Sequence, residues 1–188
     1  VSASEDQSDV DKVLAGDVAS FEGIVRRWQG PLVNLAYRFT RDRARAEEMA
    51  QEAFLRAYRS LGGWRGEAAF STWLFSLAMN LYRSELRRMP VIPVRLDRIA
   101  ELRDARAPDG GLHDSGREQI VRRAVALLPP KYKEATILYY FHEMDVETTA
   151  RTLGVPGGTV KARLARARKI LRGKLESFGI GRLLKEAL

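Results

Sequence analysis

From Thr148 to Leu175 the sequence contains no acid, while Arg151, Lys161, Arg163, Arg166, Arg168, Lys169, Arg172 and Lys174 are all basic. A solvated helix face usually mixes signs, because opposite charges at i,i+4 support one another. A stretch of one sign repels itself, and a phosphate backbone relieves that repulsion. This run is therefore suited to binding a polyanion. A second candidate lies in Gly62-Gly-Trp-Arg-Gly-Glu-Ala-Ala-Phe-Ser-Thr-Trp73, where Trp64, Phe70 and Trp73 accompany Arg65. Unstacked bases gain about 1–3 kcal/mol each on an aromatic platform, so rings beside a guanidinium suit single-stranded nucleic acid. The same rings are equally suited to a core, Trp73 above all, since it falls in the first turn of a helix. A third group, Glu47, Glu48, Gln51 and Glu52 with Leu55, Arg56 and Arg59 beyond, shares one side of a helix. Spacing alone makes it no more than a solvated polar face.

Other chemistries are poorly supplied. The 188 residues include no cysteine and two histidines, which excludes disulfides, thiolate metal sites and thiol catalysis. His142-Glu143 is not followed by a ligand histidine, and Gly154-Val-Pro-Gly-Gly-Thr159 lacks the Gly-Lys-Ser/Thr ending of a phosphate loop. Adjacent acids such as Glu47 and Glu48 point about 100° apart on a helix and cannot share a site. Neither catalytic residues, nor a metal or other cofactor, nor a small-molecule substrate is expected. Lys and Arg total 32 against 24 Asp and Glu, a net charge of +8, and 45% of residues are hydrophobic. That is the balance of a folded soluble protein. No run approaches the roughly 18 apolar residues of a membrane span, and the polar, acidic Val1–Asp11 reads as neither a signal nor a transit peptide. No membrane insertion is expected, and the expected location is the cytoplasm.

The elements that must position these groups are helical by period. Between 44 and 61, Ala46, Met49, Ala50, Ala53, Phe54, Ala57, Tyr58 and Leu61 recur at steps of three and four. Leu74, Leu77, Ala78 and Leu81 form one face of a helix over 71–88, and Thr72, Ser76, Asn80, Arg83 and Arg87 form a polar stripe. Phe21, Ile24, Val25, Trp28, Leu32, Leu35, Ala36 and Phe39 make another apolar stripe. Gly30-Pro31 interrupts it, where the helix is expected to kink or restart. No period-2 run of β-branched residues rises above these. The prediction is an all-α fold of two small helical domains. Between them, Met89-Pro-Val-Ile-Pro-Val94 and Ala107-Pro-Asp-Gly-Gly111 cannot continue a helix. The expected boundaries are a disordered acidic tail at 1–9, a domain at 10–90, a flexible linker at 91–116, a domain at 117–176 and a C-terminal tail at 177–188.

The second domain carries a recognisable device. Asp145 is a good N-cap, Glu147 favours the positive end of the helix dipole, and Val146, Ala150 and Leu153 supply a buried face. Gly154 can take the left-handed conformation that ends a helix. After Val155-Pro156-Gly157 a second helix is expected to start near Gly158-Thr159, making a helix-turn-helix. On this second helix Val160, Leu164, Ala167, Leu171 and Leu175 fall within an arc of about 80°. Opposite them lie Lys161, Ala162, Ala165, Arg166, Lys169 and Arg172. The two alanines are small enough to let the helix approach bases, and the basic residues hold phosphates, as a major-groove recognition helix requires. A basic helix lying on a membrane would need an exposed Trp or Phe to sink into lipid, and this face has neither.

Ala46-Glu-Glu-Met-Ala-Gln-Glu-Ala-Phe-Leu-Arg-Ala-Tyr58 resembles the region-2 helix of bacterial RNA polymerase sigma factors of the extracytoplasmic-function group, and Phe70-Ser-Thr-Trp-Leu-Phe-Ser-Leu-Ala-Met-Asn-Leu81 resembles the next helix. Leu128-Pro129 and Gly158-Thr-Val-Lys-Ala-Arg-Leu-Ala-Arg-Ala-Arg168 are similar to the region-4 pattern in order and spacing. Glu48 stands where the family often has Asp, and Ala162 replaces a frequent Ser on the reading face. The resemblance implies a protein that docks on core RNA polymerase, recognises promoter DNA and initiates transcription. It assigns polymerase docking to Glu48, Gln51, Glu52, Leu55 and Arg56. The melted −10 strand falls to Trp64, Arg65, Phe70, Trp73, Asn80, Arg83 and Arg87, and the −35 duplex to Thr159, Lys161, Ala162, Arg163, Ala165, Arg166 and Lys169. It also implies the anti-sigma partner common to such proteins. The other reading is a stand-alone helix-turn-helix regulator that binds an operator without polymerase.

Overall fold

The computed structural model describes residues 2–88 and 116–177, and all regular structure among them is helical. In chain order the helices are α1 (Ser2–Leu14), α2 (Phe21–Thr40), α3 (Arg43–Ser60), α4 (Phe70–Arg88), α5 (Gly116–Ala126), α6 (Pro130–Thr136), α7 (Val146–Leu153) and α8 (Gly157–Ser177). Short 3-10 turns at Val18–Ser20 and Leu61–Gly63 close the corners before α2 and after α3. The expected linker at 91–116 lies outside the described residues apart from Gly116, as does the expected tail at 177–188 apart from Ser177.

Helices α1 to α4 form the first module. α3 presents Ala46, Ala50, Ala53 and Ala57 to the core, and side chains this small let α2 lie close against it. Leu32, Leu35 and Ala36 of α2 and Leu74, Ala78 and Tyr82 of α4 share one core with no exposure; each large one contributes about 1.5–3 kcal/mol by leaving water. The buried Tyr82 hydroxyl donates to the Leu32 carbonyl at 3.3 Å, and burial raises its pKa. Thr72, expected on the polar stripe of α4, is buried instead.

One expectation about this module is corrected and another is narrowed. The acidic tail expected at 1–9 is not loose over its described residues 2–9: α1 begins at Ser2, and Val10 and Val13 enter the core. Asp6, 1% exposed, accepts from Arg27 Nε at 2.9 Å and from Trp28 Nε1 at 3.0 Å. Its charge is thus met by α2 rather than by water, which makes burial tolerable. Gly23 permits this docking, because a Cβ there would sit 2.5 Å from the Asp9 carboxylate. Nor does the chain restart at Gly30-Pro31. α2 runs through Pro31 to Thr40, since burying Ile24 on one side and Leu32, Val33, Leu35 and Ala36 on the other outweighs the missing proline N–H.

Helices α5 to α8 form the second module around Leu128, Ala135, Leu138, Leu153, Val160 and Leu164. α6 opens with Pro130 in its first turn, where a missing N–H costs nothing. It continues as a π turn over Ile137–Phe141, closed by the His142 N–H on the Ile137 carbonyl at 3.2 Å.

Candidate nucleic-acid interface

The helix-turn-helix is built as its residues predict. The Asp145 carboxylate accepts from the Thr148 N–H at 2.6 Å, capping α7. That hydrogen bond holds its pKa below the ordinary carboxylate value. Gly154 takes φ 65° and its N–H returns to the Arg151 carbonyl, the left-handed ending that favours glycine. α8 then begins at Gly157. Val160, Leu164, Ala167 and Leu175 are buried, whereas Lys161, Ala162, Ala165, Arg166, Lys169 and Arg172 are exposed. Thr159 and Arg163 flank this face and are half-buried. Among the described residues, Lys161, Arg166, Lys169 and Arg172 make no ion pair with a protein acid. The face is cationic, unneutralised and backed by a buried apolar stripe. A phosphate backbone would neutralise it, and the gap at Ala162 and Ala165 admits base edges.

The first module places its candidates on two adjoining surfaces. In the loop before α4, Gly66 takes φ 72°, and the chain folds back so that Trp64 Nε1 donates to the Ala68 carbonyl at 3.1 Å. Phe70 lies between two tryptophans, 5.4 Å from Trp64 and 5.5 Å from Trp73 by ring centres. At 2% exposure it offers no face to a base, which corrects its place among the stacking residues. It is the wedge that fixes Trp64 and Trp73, both partly exposed. Arg65, Asn80 and Arg87 are exposed.

An open groove of about 430 Å³ runs between α3 and α4, lined by Arg56, Trp73, Ser76, Leu77, Asn80 and Ser84 among others. It joins Trp73 and Asn80, expected at the opened strand, to Arg56, expected on the polymerase-facing surface. The groove-lining Ser76 and Ser84 were absent from the candidate residues. Their signal was present in the steps 73, 76, 77, 80, 84, the spacing of one helical face.

On α3, Glu48, Gln51, Leu55 and Arg56 are exposed and Glu52 is half-buried. Leu55 stands out at 51% exposure beside Tyr58 at 40%. Its charges are already paired: Arg56 with Glu52 at 2.7 Å, and Arg45 with Glu48 at 2.8 Å and Glu85 at 2.8 Å. An exposed leucine among largely paired charges, the exposed Arg59 having no acidic partner among the described residues, suits another protein better than a polyanion.

Arg83 is a candidate that the other module already occupies. Its guanidinium forks onto Glu134 of α6, Nε to Oε1 at 2.9 Å and Nη2 to Oε2 at 2.7 Å. Nothing in the spacing around Glu134 marks it in the sequence. It stands alone in Pro-Pro-Lys-Tyr-Lys-Glu, and only the packing of the two modules reveals its role.

Fold and site together define an all-helical, two-module nucleic-acid-binding protein, one module presenting an exposed basic helix and the other an aromatic loop beside a groove. Residues 24–89 match Sigma-70 region 2, and residues 118–171 match Sigma-70, region 4. The RNA polymerase sigma-H factor of Pseudomonas aeruginosa is 33% identical over 193 residues, covering 97% of both chains. The ECF RNA polymerase sigma-E factor of Haemophilus influenzae is 33% identical over 181 residues, covering 91% of this chain and 95% of its own. The chain belongs to the sigma-70 family and is an RNA polymerase sigma factor of the extracytoplasmic-function group. Two solved structures share its fold. CnrH in complex with the cytosolic domain of CnrY matches with a TM-score of 0.70 at 21% identity, covering 92% of this chain and 98% of CnrH. The sigma factor RpoE of Bartonella quintana in complex with the anti-sigma factor NepR matches with a TM-score of 0.64 at 23% identity, covering 83% and 96%. A regulator acting without polymerase is not favoured by a chain that carries both sigma regions. No helix among the described residues is long and apolar enough to cross a membrane.

Proposed function

We propose that the two modules divide promoter recognition. α8 reads the −35 element as duplex, with Lys161, Ala162, Ala165, Arg166 and Lys169 facing the groove and Thr159 and Arg163 at its edges. The α3–α4 side of the first module holds the opened −10 strand: Trp64, Trp73 and Asn80 meet bases, while Arg65, Arg83 and Arg87 meet phosphates. Phe70 keeps the loop in shape. Capturing an unstacked base offsets the few kcal/mol of unpairing. Glu48, Gln51, Glu52, Leu55 and Arg56 dock on core polymerase. The chain itself catalyses nothing, since nucleotide addition belongs to the core enzyme, and it works in the cytoplasm, where promoter DNA and polymerase are. An anti-sigma protein is the proposed regulator, in keeping with the anti-sigma factor NepR bound to the structural relative RpoE of Bartonella quintana.

The observation that carries this reading is the single-signed, unpaired face of α8 opposite its buried stripe. Each duplex contact of this kind is worth about 1–3 kcal/mol. Transcription by purified core polymerase plus this chain, with start sites mapped, is expected to initiate at a defined promoter set. Arg166→Ala is expected to weaken binding of −35 duplex by about tenfold while leaving polymerase association unchanged. Loss of association instead would show that α8 docks on polymerase, and the division would be wrong.

A further inference from the structure

We infer that the α6 face of the second module is a docking surface for the first module of the same chain, and that Glu134 locks Arg83 away from nucleic acid in a closed form of the free protein. The inference rests on the proposed role of Arg83 at the opened strand.

Several contacts cross between the modules, and they are of different kinds. Glu134 is only 8% exposed and receives both arms of the Arg83 guanidinium. Arg41 Nη2 donates to the Arg122 carbonyl at 2.6 Å. The Arg38 guanidinium lies 3.8 Å above the Phe141 ring. Phe75 meets the His142 ring edge-on at 5.2 Å, and Lys133 Nζ sits 5.2 Å from the Phe39 ring centre. Residues of α2, its C-cap Arg41 and α4 thus meet α5, α6, its π turn and the His142 that follows, and α4 also packs against α7, the first helix of the helix-turn-helix.

The chemistry of the central pair makes this contact exclusive. A guanidinium presents one planar fork, which fits a carboxylate or a phosphate by the same paired hydrogen bonds. With Glu134 in the fork, a DNA phosphate has no place on Arg83, so the carboxylate imitates the ligand it displaces. Asn80 is also drawn in, because Arg83 Nη1 reaches its Oδ1 at 3.4 Å. The reading face of α8 stays exposed throughout. The closed form should therefore retain duplex binding and lose strand capture. Because both modules belong to one chain, even a weak interface closes, at an effective concentration in the roughly millimolar range. Polymerase, by binding the first module while DNA holds the second, would separate the pair and release Arg83 only at a promoter.

The chain has no cysteine, so two introduced ones take spin or dye labels without competition. Full-length protein carrying Ala44→Cys and Glu176→Cys, both at exposed positions, reports the separation of the modules, and anisotropy with fluorescein-labelled oligothymidine reports strand binding. Glu134→Gln keeps the shape but not the charge. It should lengthen the inter-label distance and tighten oligothymidine binding, by about tenfold if nine molecules in ten are closed at rest. Arg83→Glu should open the protein without that gain, and adding Glu134→Arg should close it again, which a misfolded variant could not do. If Glu134→Gln leaves the distance unchanged, the lock is refuted. If it opens the protein and oligothymidine affinity stays put, the docking surface stands and the role of Arg83 at the strand is what fails, taking the exclusion with it.

Discussion

The two modules treat charge in opposite ways. On α8, exposed Lys161, Arg166, Lys169 and Arg172 stand without acidic partners among the described residues. In the first module many arginines are tied: Arg27 to Asp6 and Asp9, Arg45 to Glu48 and Glu85, Arg56 to Glu52, and Arg83 to Glu134 across the seam, whereas the exposed Arg65 and Arg87 have no acidic partner among the described residues. An unpaired face retains its full attraction for a polyanion and loses it steeply with salt. A paired face has no net field to offer. It serves as structure, as a surface for another protein, or as a contact that must first be broken. The comparison therefore sorts the arginines by job more sharply than their spacing does.

The largest effect should come from the deepest pair. Asp6→Ala removes the acceptor of both Arg27 Nε and Trp28 Nε1 and leaves a partly buried guanidinium with Asp9 alone. The expected cost is about 3 kcal/mol of stability in the first module, read as a lower midpoint in thermal unfolding. Binding of −35 duplex by α8 should be unchanged. A variant that melts normally would show that α1 is an appendage, and that pairing in this module is decorative rather than structural.

A smaller effect is expected at the seam, as a dependence on pH. Burial against Phe75, with Arg38 beside it, lowers the His142 imidazole from its ordinary 6.5 to about 4, and its enclosed Nε2 has no hydrogen-bond partner. Since Phe75 and Arg38 belong to the other module, separation frees the ring to take a proton. The closed form therefore has its full stability above about 6.5 and loses it as pH falls toward 4. Burial and Arg41 lower Lys133 from 10.5 to about 8. By the same sign its influence is spent between those values, so the acid window isolates His142. The inter-label distance should lengthen as pH drops from about 7 to 5, and His142→Phe should flatten the response. A wild-type distance constant over that range would place the imidazole's surroundings within its own module.

Much of this was legible from residue order, for reasons that differ by region. The helix-turn-helix could be read because its signals are local: Asp145 caps, Gly154 ends, and the apolar stripe of α8 repeats over about four turns. The acidic N-terminus could not, because Asp6 looks solvated until Arg27 and Trp28 are brought to it from 21 and 22 residues away. Pro31 leaves a kink and a restart both open in the sequence, and it is the core on both sides of it that carries α2 through without a restart. Phe70 reads as one of three aromatics in a loop, and only packing shows which of the three is the wedge. Glu134 is the extreme case, an acid whose partner lies 51 residues away in the other module.

The smallest change in stability should accompany Arg56→Ala, and that is its value. Arg56 and Glu52 form an i,i+4 pair with both side chains about half exposed, worth no more than about 0.5 kcal/mol to the fold. The variant should melt as the parent does, so any loss of function reports a contact rather than unfolding. Because Arg56 stands beside Leu55 and also lines the groove, two readouts divide its roles. A fall in core polymerase association, with oligothymidine binding intact, assigns it to the protein-facing surface. A fall in oligothymidine binding alone moves it to the groove with Trp73 and Asn80, and the paired face of α3 would then extend less far than proposed. If neither changes, the pairing on this face neutralises a solvated surface, and the contrast between the two modules would rest on the seam and the α1 contact alone.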